Sequence, residues 1–342
     1  MSLLAATIGA AERARLPDSV LRLGVDILVS NASRQLTGES LEAEAAFART
    51  MADQPVALHA DAANAQHYEV PAAFFALVLG PRRKYSSCLY GLQAQTLAEA
   101  ETLALSQTCL HADLQGGQDI LELGCGWGSL SLWMAQSLPG SRITAVSNSS
   151  SQRAYIEQQA ATLGLSNLRV ITADMNDFRP DGDFDRVVSV EMFEHMSNWR
   201  GLLSRVRDWL RPDGRLFLHV FSHRSTPYRF DHQDDADWIG RYFFTGGIMP
   251  SHGLIRQFPD LFAVEQDWIW NGRHYQRTAL DWLANYDRNA AEIRTLFKGV
   301  YGEAAEVWSK RWRLFFLATA GLFGHRGGKE WSVSHYRLRP VS

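Results

Sequence analysis

Three glycines stand at alternate positions directly after a short apolar run: Gly124, Gly126 and Gly128 follow residues 119–123. An amphipathic run, residues 129–138, comes next, so the pattern predicts a buried strand, a tight turn and a helix. Glycine lets the backbone adopt positive φ and lets a ligand approach without a Cβ in the way, and the first turn of a helix presents unpaired N–H groups. These residue types at this spacing predict a site for a nucleotide-like cofactor.

The glycine spacing separates two kinds of cofactor. Dinucleotide-binding proteins carry G-x-G-x-x-G and an acidic residue about twenty positions later. Here the spacing is G-x-G-x-G, and the next predicted strand ends in Asn148, so dinucleotide binding is the weaker interpretation. A glycine-rich turn without a ligand is a further alternative. The run from Glu122 to Gly128 resembles motif I of the S-adenosylmethionine methyltransferases, in which the turn lies against the amino-acid end of the cofactor.

The elements that would position these residues alternate along the middle of the chain. Strands are predicted at 119–123, 142–148, 168–173, 184–190 and 215–221, with helices at 96–110, 129–138, 149–163 and 199–210 and a turn at 211–214. This alternation predicts an α/β fold with a doubly wound, Rossmann-like parallel sheet, whose ligands bind at the carboxyl ends of the strands. Gly124, Asn148, Asp174 and Glu191 all follow such ends.

The remaining segments predict additions to one methyltransferase domain, which we assign to residues 85–342. Residues 1–84 read as an N-terminal helical extension, and residues 222–261 as a lid loop. Asp231, Asp234, Asp235 and Asp237 match no calcium loop, so we expect a solvated face and no metal site. Residues 262–270 and 331–338 alternate like strands, and Asn271-Gly272 predicts a turn. Helices at 278–296 and 303–323 would form a cap, within residues 276–328, inserted before the last strand.

Composition narrows the range of partners. The chain has 342 residues, 46% hydrophobic and 21% charged, with a formal net charge of −3. No basic surface is expected to attract nucleic acid, and no apolar run is long enough to span a membrane. A small-molecule partner is therefore favoured, and a homodimer is left open. Cys88, Cys109 and Cys125 are too scattered for a disulfide framework, which predicts a reducing compartment, the cytoplasm.

Five stretches together resemble the cyclopropane fatty-acid synthase-like S-adenosylmethionine methyltransferases, most closely the coclaurine N-methyltransferase branch, which methylates benzylisoquinoline amines. They are residues 84–88, 123–130, 191–196, 241–251 and 271–275, and the resemblance runs from about His67 to the C-terminus. It implies S-adenosylmethionine as cofactor, bound by Tyr85, Ser86, Gly124, Gly126, Asn148, Gln152, Asp174, Met175 and Val190. Asn148 and Gln152 would bond the ribose, and Asp174 the adenine amino group. Alternatively, Asn148 caps the following helix and Val190 is plain core.

The resemblance places Glu191, Glu194 and His195 in the acceptor site as the catalytic residues. An alkylamine has a pKa near 10, so only about one molecule in a thousand is neutral at pH 7, a penalty of about 4 kcal/mol. The carboxylates would hold the cationic amine, and Glu194 or His195 would remove its proton, a step worth about 10²–10⁴-fold. If the segment is helical, all three side chains face one cleft. The alternative is an acid pair at a helix start with a structural histidine.

Other side chains are expected to contact the acceptor: Tyr90, His219, Trp238, Tyr242, Phe243 and Tyr275. Tyr85 and Phe244, which also lie in the matched stretches, are further candidates for holding a cation or an aromatic ring. In the synthases of the family a cysteine, a glutamate, a histidine and a tyrosine hold a bicarbonate. Glu194, His219 and Tyr275 match three of these, but Ser87 stands at the cysteine position. Glu191 stands where the synthases usually have glycine, and a second carboxylate would repel bicarbonate while attracting an ammonium group.

These observations favour a methyltransferase that acts on a small-molecule acceptor, with an amine nitrogen as the expected nucleophile. One alternative is methylation or cyclopropanation of unsaturated fatty acyl chains, which would make a lipid the partner. Another is a S-adenosylmethionine-binding protein without catalysis.

Overall fold

The computed structural model describes residues 12, 16–36, 41–58, 70–92, 94–230 and 237–341. Its strands are β1 (Asp119–Leu123), β2 (Arg142–Ser147), β3 (Leu168–Thr172), β4 (Phe184–Val190), β5 (Leu210–His223), β6 (Tyr228–Arg229), β7 (Ile248–Met249), β8 (Phe262–Trp270) and β9 (Trp331–Pro340). Its helices are α1 (Asp18–Gln35), α2 (Leu41–Met51), α3 (Ala72–Val78), α4 (Leu97–His111), α5 (Ser129–Ser137), α6 (Ser150–Thr162), α7 (Trp199–Trp209), α8 (Trp238–Tyr242), α9 (Gly272–Arg288), α10 (Ala290–Tyr301) and α11 (Ala305–Gly324). Within these ranges no helix is both long and apolar enough to cross a membrane.

The described residues form a seven-stranded sheet in the order β3-β2-β1-β4-β5-β9-β8. Strands β1 to β5 are parallel, β9 pairs antiparallel with β5, and β8 pairs antiparallel with β9. The doubly wound sheet predicted from the alternation of strands and helices is confirmed. The chain runs outward from β1 to β3 and then returns to β4 on the other side of β1. The carboxyl end of β1 is therefore the switch point, where ligands bind in folds of this kind.

Both faces of β1 are buried, as the continuous apolar run predicts. Ile120 packs with Leu130 of α5 on one face, and Leu121 and Leu123 pack with Trp199 of α7 on the other. Helices on both faces fix the sheet, so the turn after β1 has a rigid base.

Two predicted turns differ from the structure. Asn271 begins a helix instead of a turn, because its side-chain Oδ1 accepts a hydrogen bond from Arg273 N–H (2.9 Å) and caps α9. Every residue between β8 and β9 is described, and this stretch contains three α-helices, α9 to α11, where two were predicted. Residues 211–214, which were expected to form a turn, lie inside β5. The pairing register between β4 and β5 shifts there, between the pairs Phe184–Leu210 and Arg186–Arg215.

The segment after β4 is not the helix that was expected. Glu191 has a φ of +47°, which takes the backbone out of the right-handed helical region. Its N–H donates to His219 O (2.8 Å), and only a single 3₁₀ turn, Phe193–His195, follows. The three side chains of the expected catalytic group therefore do not share one helical face.

The predicted additions to the sheet contain the following described elements. Helices α1 to α3 lie within the predicted extension, and α1 packs against α11. In the predicted lid, β6 pairs with β7, and Asp237 caps α8 by accepting from Gly240 N–H (2.9 Å). His67, Asp231, Asp234 and Asp235 lie outside the described residues. The boundaries of extension, lid and cap remain predictions.

Glu101 of α4 fixes the loop that carries Tyr85 and Ser86. Its carboxylate is fully buried and accepts hydrogen bonds from the backbone N–H groups of Arg82 (2.9 Å) and Lys84 (3.1 Å). Burial raises the pKa of Glu101 above its ordinary value. The loop is thus anchored to the helix that precedes β1.

We expect Glu101→Ala to lower the free energy of unfolding by about 2 kcal/mol or more, because two buried N–H groups lose their acceptor. Urea unfolding measures the loss. Glu101→Gln is the matched control, since its amide oxygen can still accept, and it should lose less. Equal stability of Glu101→Ala and the wild type would contradict this role.

Candidate active site

Two adjoining pockets open at the carboxyl edge of the sheet in the described part of the chain. The larger, beside β1 and β4, has about 1040 Å³ of space free of protein atoms, and the smaller, beside the ends of β2 and β3, about 630 Å³; both volumes include space open to solvent. The nine residues predicted to bind the cofactor all line one pocket or the other: Tyr85, Ser86, Gly124, Gly126, Asn148, Gln152, Asp174, Met175 and Val190. Ser149, not Asn148, caps α6, so the capping alternative for Asn148 is wrong.

The glycine turn after β1 lets a ligand approach the backbone closely. Gly124 has a φ of +79°, and a Cβ there would come within 2.5 Å of Met192 Cγ. Gly126 has a φ of +51°, and a Cβ there would meet no protein atom within 4 Å. Because Gly126 lines both pockets, an added side chain would project into the open space that a ligand would fill.

Unpaired donors support a polar ligand at this turn. Trp127 Nε1 and Ser129 Oγ are buried, belong to residues that line the larger pocket, and have no hydrogen-bond partner among the described residues. Buried polar atoms normally have partners, so these two atoms are available to a ligand. Asp174 lines the smaller pocket, where its carboxylate can accept hydrogen bonds from the donors of a nucleoside. The residues present therefore fit S-adenosylmethionine.

Glu191 presents a buried carboxylate to the larger pocket, and its side chain is only 7% exposed. Its Oε1 accepts from Ser87 N–H (2.9 Å) and bonds with His219 Nε2 (3.1 Å). Its Oε2 accepts from the Tyr275 hydroxyl (2.7 Å). Burial raises the pKa of Glu191, while Lys84, Tyr275 and Ser87 act in the opposite direction.

Glu194 turns away from the pocket, which differs from the expected arrangement. It is fully buried, its Oε1 accepts from Phe221 N–H (2.6 Å), and its Oε2 has no partner among the described residues. Burial, and then the charge of Glu191, raise the pKa of Glu194 well above its usual range. Glu194 therefore holds a proton in preference to Glu191, which has more donors.

His195 lines both pockets, so it lies where the two adjoin. Its ring stacks on Phe244, with ring centroids 4.6 Å apart and planes 17° apart. The positive φ of Glu191 and the 3₁₀ turn explain why Glu191 and His195 reach the pocket while Glu194 does not.

The residues predicted to contact the acceptor divide into two groups. Tyr275 lines the larger pocket, and His219 lies behind Glu191. The other four lie outside the pocket lining and pack within the protein: Tyr90 donates to Asp281, Trp238 donates to Glu12, Arg311 stacks on Tyr242, and Phe243 stacks on Phe315. Four further aromatic residues line the larger pocket: Phe244, which was a candidate from the sequence, and Phe221, Trp282 and Phe315, which were not predicted.

A signal for these four aromatic residues existed only in part. Phe221 lies near the carboxyl end of β5, where the strand-end rule could have found it. Phe244 lies in the matched stretch 241–251, which made it a candidate. Trp282 and Phe315 come from cap helices α9 and α11, which carry no motif that marks a pocket.

The profile of the family described as mycolic acid cyclopropane synthetase matches residues 58–328. The chain belongs to this family. (S)-Coclaurine N-methyltransferase from Thalictrum flavum subsp. glaucum is 35% identical over 285 residues, which are 82% of this chain and 79% of that protein. Cyclopropane-fatty-acyl-phospholipid synthase from Escherichia coli (strain K12) is 31% identical over 274 residues, 78% of this chain and 66% of that protein.

A crystal structure of coclaurine N-methyltransferase, bound to N-methylheliamine and SAH, is similar over nearly the whole chain. It is 31% identical, has a TM-score of 0.93, and covers 99% of this chain and 100% of that one. The predicted family is confirmed. The chain is a S-adenosylmethionine-dependent methyltransferase, and S-adenosylmethionine is its cofactor.

Gly126→Ala should weaken binding of S-adenosylhomocysteine at least tenfold, because the added Cβ enters the ligand space. Calorimetric titration gives the affinity and urea unfolding the stability. Gly164→Ala is the matched control: Gly164 also has positive φ and no atom within 4 Å of a Cβ, but it does not line either pocket. The two variants should lose similar stability, and equal affinities would show that Gly126 does not border the cofactor.

Proposed function

We propose that this enzyme transfers a methyl group to the nitrogen of a small amine. The observation that carries the proposal is the buried carboxylate of Glu191 in a pocket walled by aromatic rings. Phe221, Phe244, Phe315 and Trp282 line that pocket with Tyr275. Aromatic faces and a carboxylate attract an ammonium group, and a desolvated site strengthens both interactions.

Relatives support the same class of acceptor. The similar proteins named above include coclaurine N-methyltransferase, by sequence and by structure. Among the described residues that line the larger pocket, Glu191 is the one acidic residue whose side chain remains partly exposed near the aromatic walls. This polar centre is consistent with an amine acceptor. The acceptor class proposed here is a secondary or tertiary amine small enough for this cleft.

Glu191 is the base in this proposal. When bound, S-adenosylmethionine supplies a methyl group on a sulfonium that is already activated for direct displacement. The protein must hold the amine in line, exclude water and take up the amine's proton. Glu191 can do this because it is ionised ahead of Glu194 and its raised pKa is closer to neutral pH. His195, which lines both pockets, positions the acceptor.

Modification of an unsaturated acyl chain is the competing function, since a cyclopropane-fatty-acyl-phospholipid synthase is among the relatives. At the position where the family resemblance expects a bicarbonate-binding cysteine, Ser87 instead turns its hydroxyl to Cys88 O (3.3 Å). Cys88 is buried and does not line the pocket. Both features favour the amine.

The first test supplies methyl-labelled S-adenosylmethionine with a pool of cyclic secondary amines in one arm and phospholipid vesicles with unsaturated chains in the other. We expect label in the amines. Label in lipid alone would end the amine proposal, and no transfer to any acceptor would favour a binding protein without catalysis.

Glu191→Gln should reduce kcat for amine methylation by about 10²–10⁴-fold, because the base is lost. Glu194→Gln is its matched control, three residues away. It should stay within a few-fold of the wild type, since the amide resembles a protonated carboxyl and its oxygen can still accept from Phe221 N–H. Initial rates under saturating cofactor measure both. A larger loss for Glu194→Gln than for Glu191→Gln would reverse the assignment.

The pH profile of kcat/KM should have an acidic limb above the ordinary carboxyl value of 4.5, because burial raises the pKa of Glu191. Activity is present while Glu191 is ionised and is lost as the pH falls through that raised pKa. Lys84, which favours the charged form, lowers the pKa of Glu191, so Lys84→Met should move the limb to higher pH. Stopped assays at several pH values measure it; an unmoved or downward limb would refute the assignment.

A further inference from the structure

Arg83 contributes a positive charge with an unused hydrogen-bond donor to the lining of the larger pocket. Its Nη1 is buried and has no hydrogen-bond partner among the described residues. Lys84 lines the same pocket, but its Nζ already donates to Ser86 Oγ (2.5 Å) and to Ser87 O (2.6 Å). Buried donors normally have partners, so the guanidinium of Arg83 can still bind an anionic group of a ligand.

The guanidinium of Arg83 lies close to the glycine turn, because both contact the ring of Tyr155 on α6. Arg83 Cζ is 4.1 Å from the centroid of that ring. Trp127, from the turn, packs edge-on against the same ring, with ring centroids 5.7 Å apart and planes 75° apart. Trp127 Nε1 and Ser129 Oγ are the other two buried atoms in this part of the lining that have no described partner. Three unused donors therefore belong to one end of the pocket.

Helix α5 adds its amino end to this group of donors. Gly128 is its N-cap residue, and no side chain caps the helix. The first turn of a helix has free N–H groups and a partial positive charge, and both attract anions. Trp127 and Ser129 flank Gly128 in the chain, so their side-chain donors lie beside the helix end. This end of the pocket therefore suits a negatively charged group.

The backbone holds Arg83 in a conformation that an arginine adopts only at a cost, since its φ is +50°. Arg83 N–H donates to Gly80 O (2.9 Å), and Glu101 accepts from the N–H groups of both chain neighbours, Arg82 and Lys84. Strained residues of this kind occur at binding sites, where the surrounding structure fixes them. The loop thus sets the position from which the Arg83 side chain reaches the pocket.

We propose that Arg83 binds the α-carboxylate of S-adenosylmethionine, together with Trp127, Ser129 and the amino end of α5. The cofactor has one negative group, this carboxylate, and two positive groups, its ammonium and its sulfonium. Of the three, only the carboxylate suits a guanidinium, and the cationic amine of the proposed function does not suit it either. The inference goes beyond that function, because it concerns the cofactor alone and holds for any methyl acceptor.

The pair gives the site a means of choosing its cofactor. A guanidinium and a carboxylate can form two parallel charge-assisted hydrogen bonds, which orient the ligand as well as attract it. S-adenosylmethionine and its product S-adenosylhomocysteine both have the carboxylate. Adenosyl thioethers and sulfonium compounds that lack it leave Arg83 without a partner, so the enzyme should bind them more weakly.

The test measures the binding of two ligands by calorimetric titration of the full chain. One is S-adenosylhomocysteine, and the other is S-adenosyl-3-thiopropylamine, which is the same molecule without its carboxylate. Arg83→Met keeps an apolar stem but removes the charge and the donors. It should weaken S-adenosylhomocysteine binding about tenfold or more and leave the affinity for the thiopropylamine within about twofold of the wild type. Arg83→Lys keeps the charge and should lose less affinity for S-adenosylhomocysteine than Arg83→Met.

Arg82→Met is the matched control. Arg82 is the neighbouring arginine and also lies over a ring, with its Cζ 4.6 Å from the centroid of Trp133, but it lines neither pocket. It should keep the wild-type affinity for both ligands, and urea unfolding checks that each variant is folded.

Wild-type affinity of Arg83→Met for S-adenosylhomocysteine, or an equal loss for the two ligands, would overturn the proposal. If Arg83→Met does not fold, the same comparison with Arg83→Lys decides: the loss must be confined to the ligand with the carboxylate. These measurements use no methyl acceptor, so an enzyme that methylates no amine would overturn the proposed function and leave the role of Arg83 standing.

Discussion

The site depends on one buried carboxylate and the donors that hold it. Glu191 follows β4, and its partners come from the loop before α4, from β5 and from α9. Removing a carboxylate from water is unfavourable by several kcal/mol unless hydrogen bonds and an opposite charge compensate. Ser87, His219 and Tyr275 supply the bonds, and Lys84 supplies the charge. Helix α9 must therefore lie against the carboxyl edge of the sheet, and this contact closes the pocket.

The backbone conformation at Glu191 suits both the glutamate of this chain and the glycine that the synthases of the family usually have there. Glu191 has a φ of +47°, a conformation that glycine adopts freely and other residues adopt at a cost of about 1–2 kcal/mol. By resemblance, the synthases of the family usually have glycine here, which suits the same turn. A glutamate keeps the turn, adds strain and places a negative charge in the acceptor pocket. In the proposed function, this one residue makes the pocket suited to a cation where the synthases hold an anion.

The sequence predicted the sheet well because it follows from local pattern. Alternating apolar runs gave the strands, and the strand-end rule brought Gly124, Asn148, Asp174 and Glu191 together. The lining of the larger pocket was predicted less well. A positive φ at Glu191 leaves no mark in the residue pattern, so the burial of Glu194 was missed. Trp282 and Phe315 reach the larger pocket from two cap helices through tertiary packing alone.

In the proposed function, Glu191 is an ionised base that a bound cation stabilises. Its titration can be followed by NMR of enzyme labelled with ¹³C at the glutamate carboxyl carbons, with Glu191→Gln to assign the signal. The account predicts a pKa above 4.5 in the free enzyme, lowered when a quaternary ammonium analogue binds together with S-adenosylhomocysteine. A Glu191 signal that stays protonated through neutral pH, or that does not respond to the cation, would contradict it.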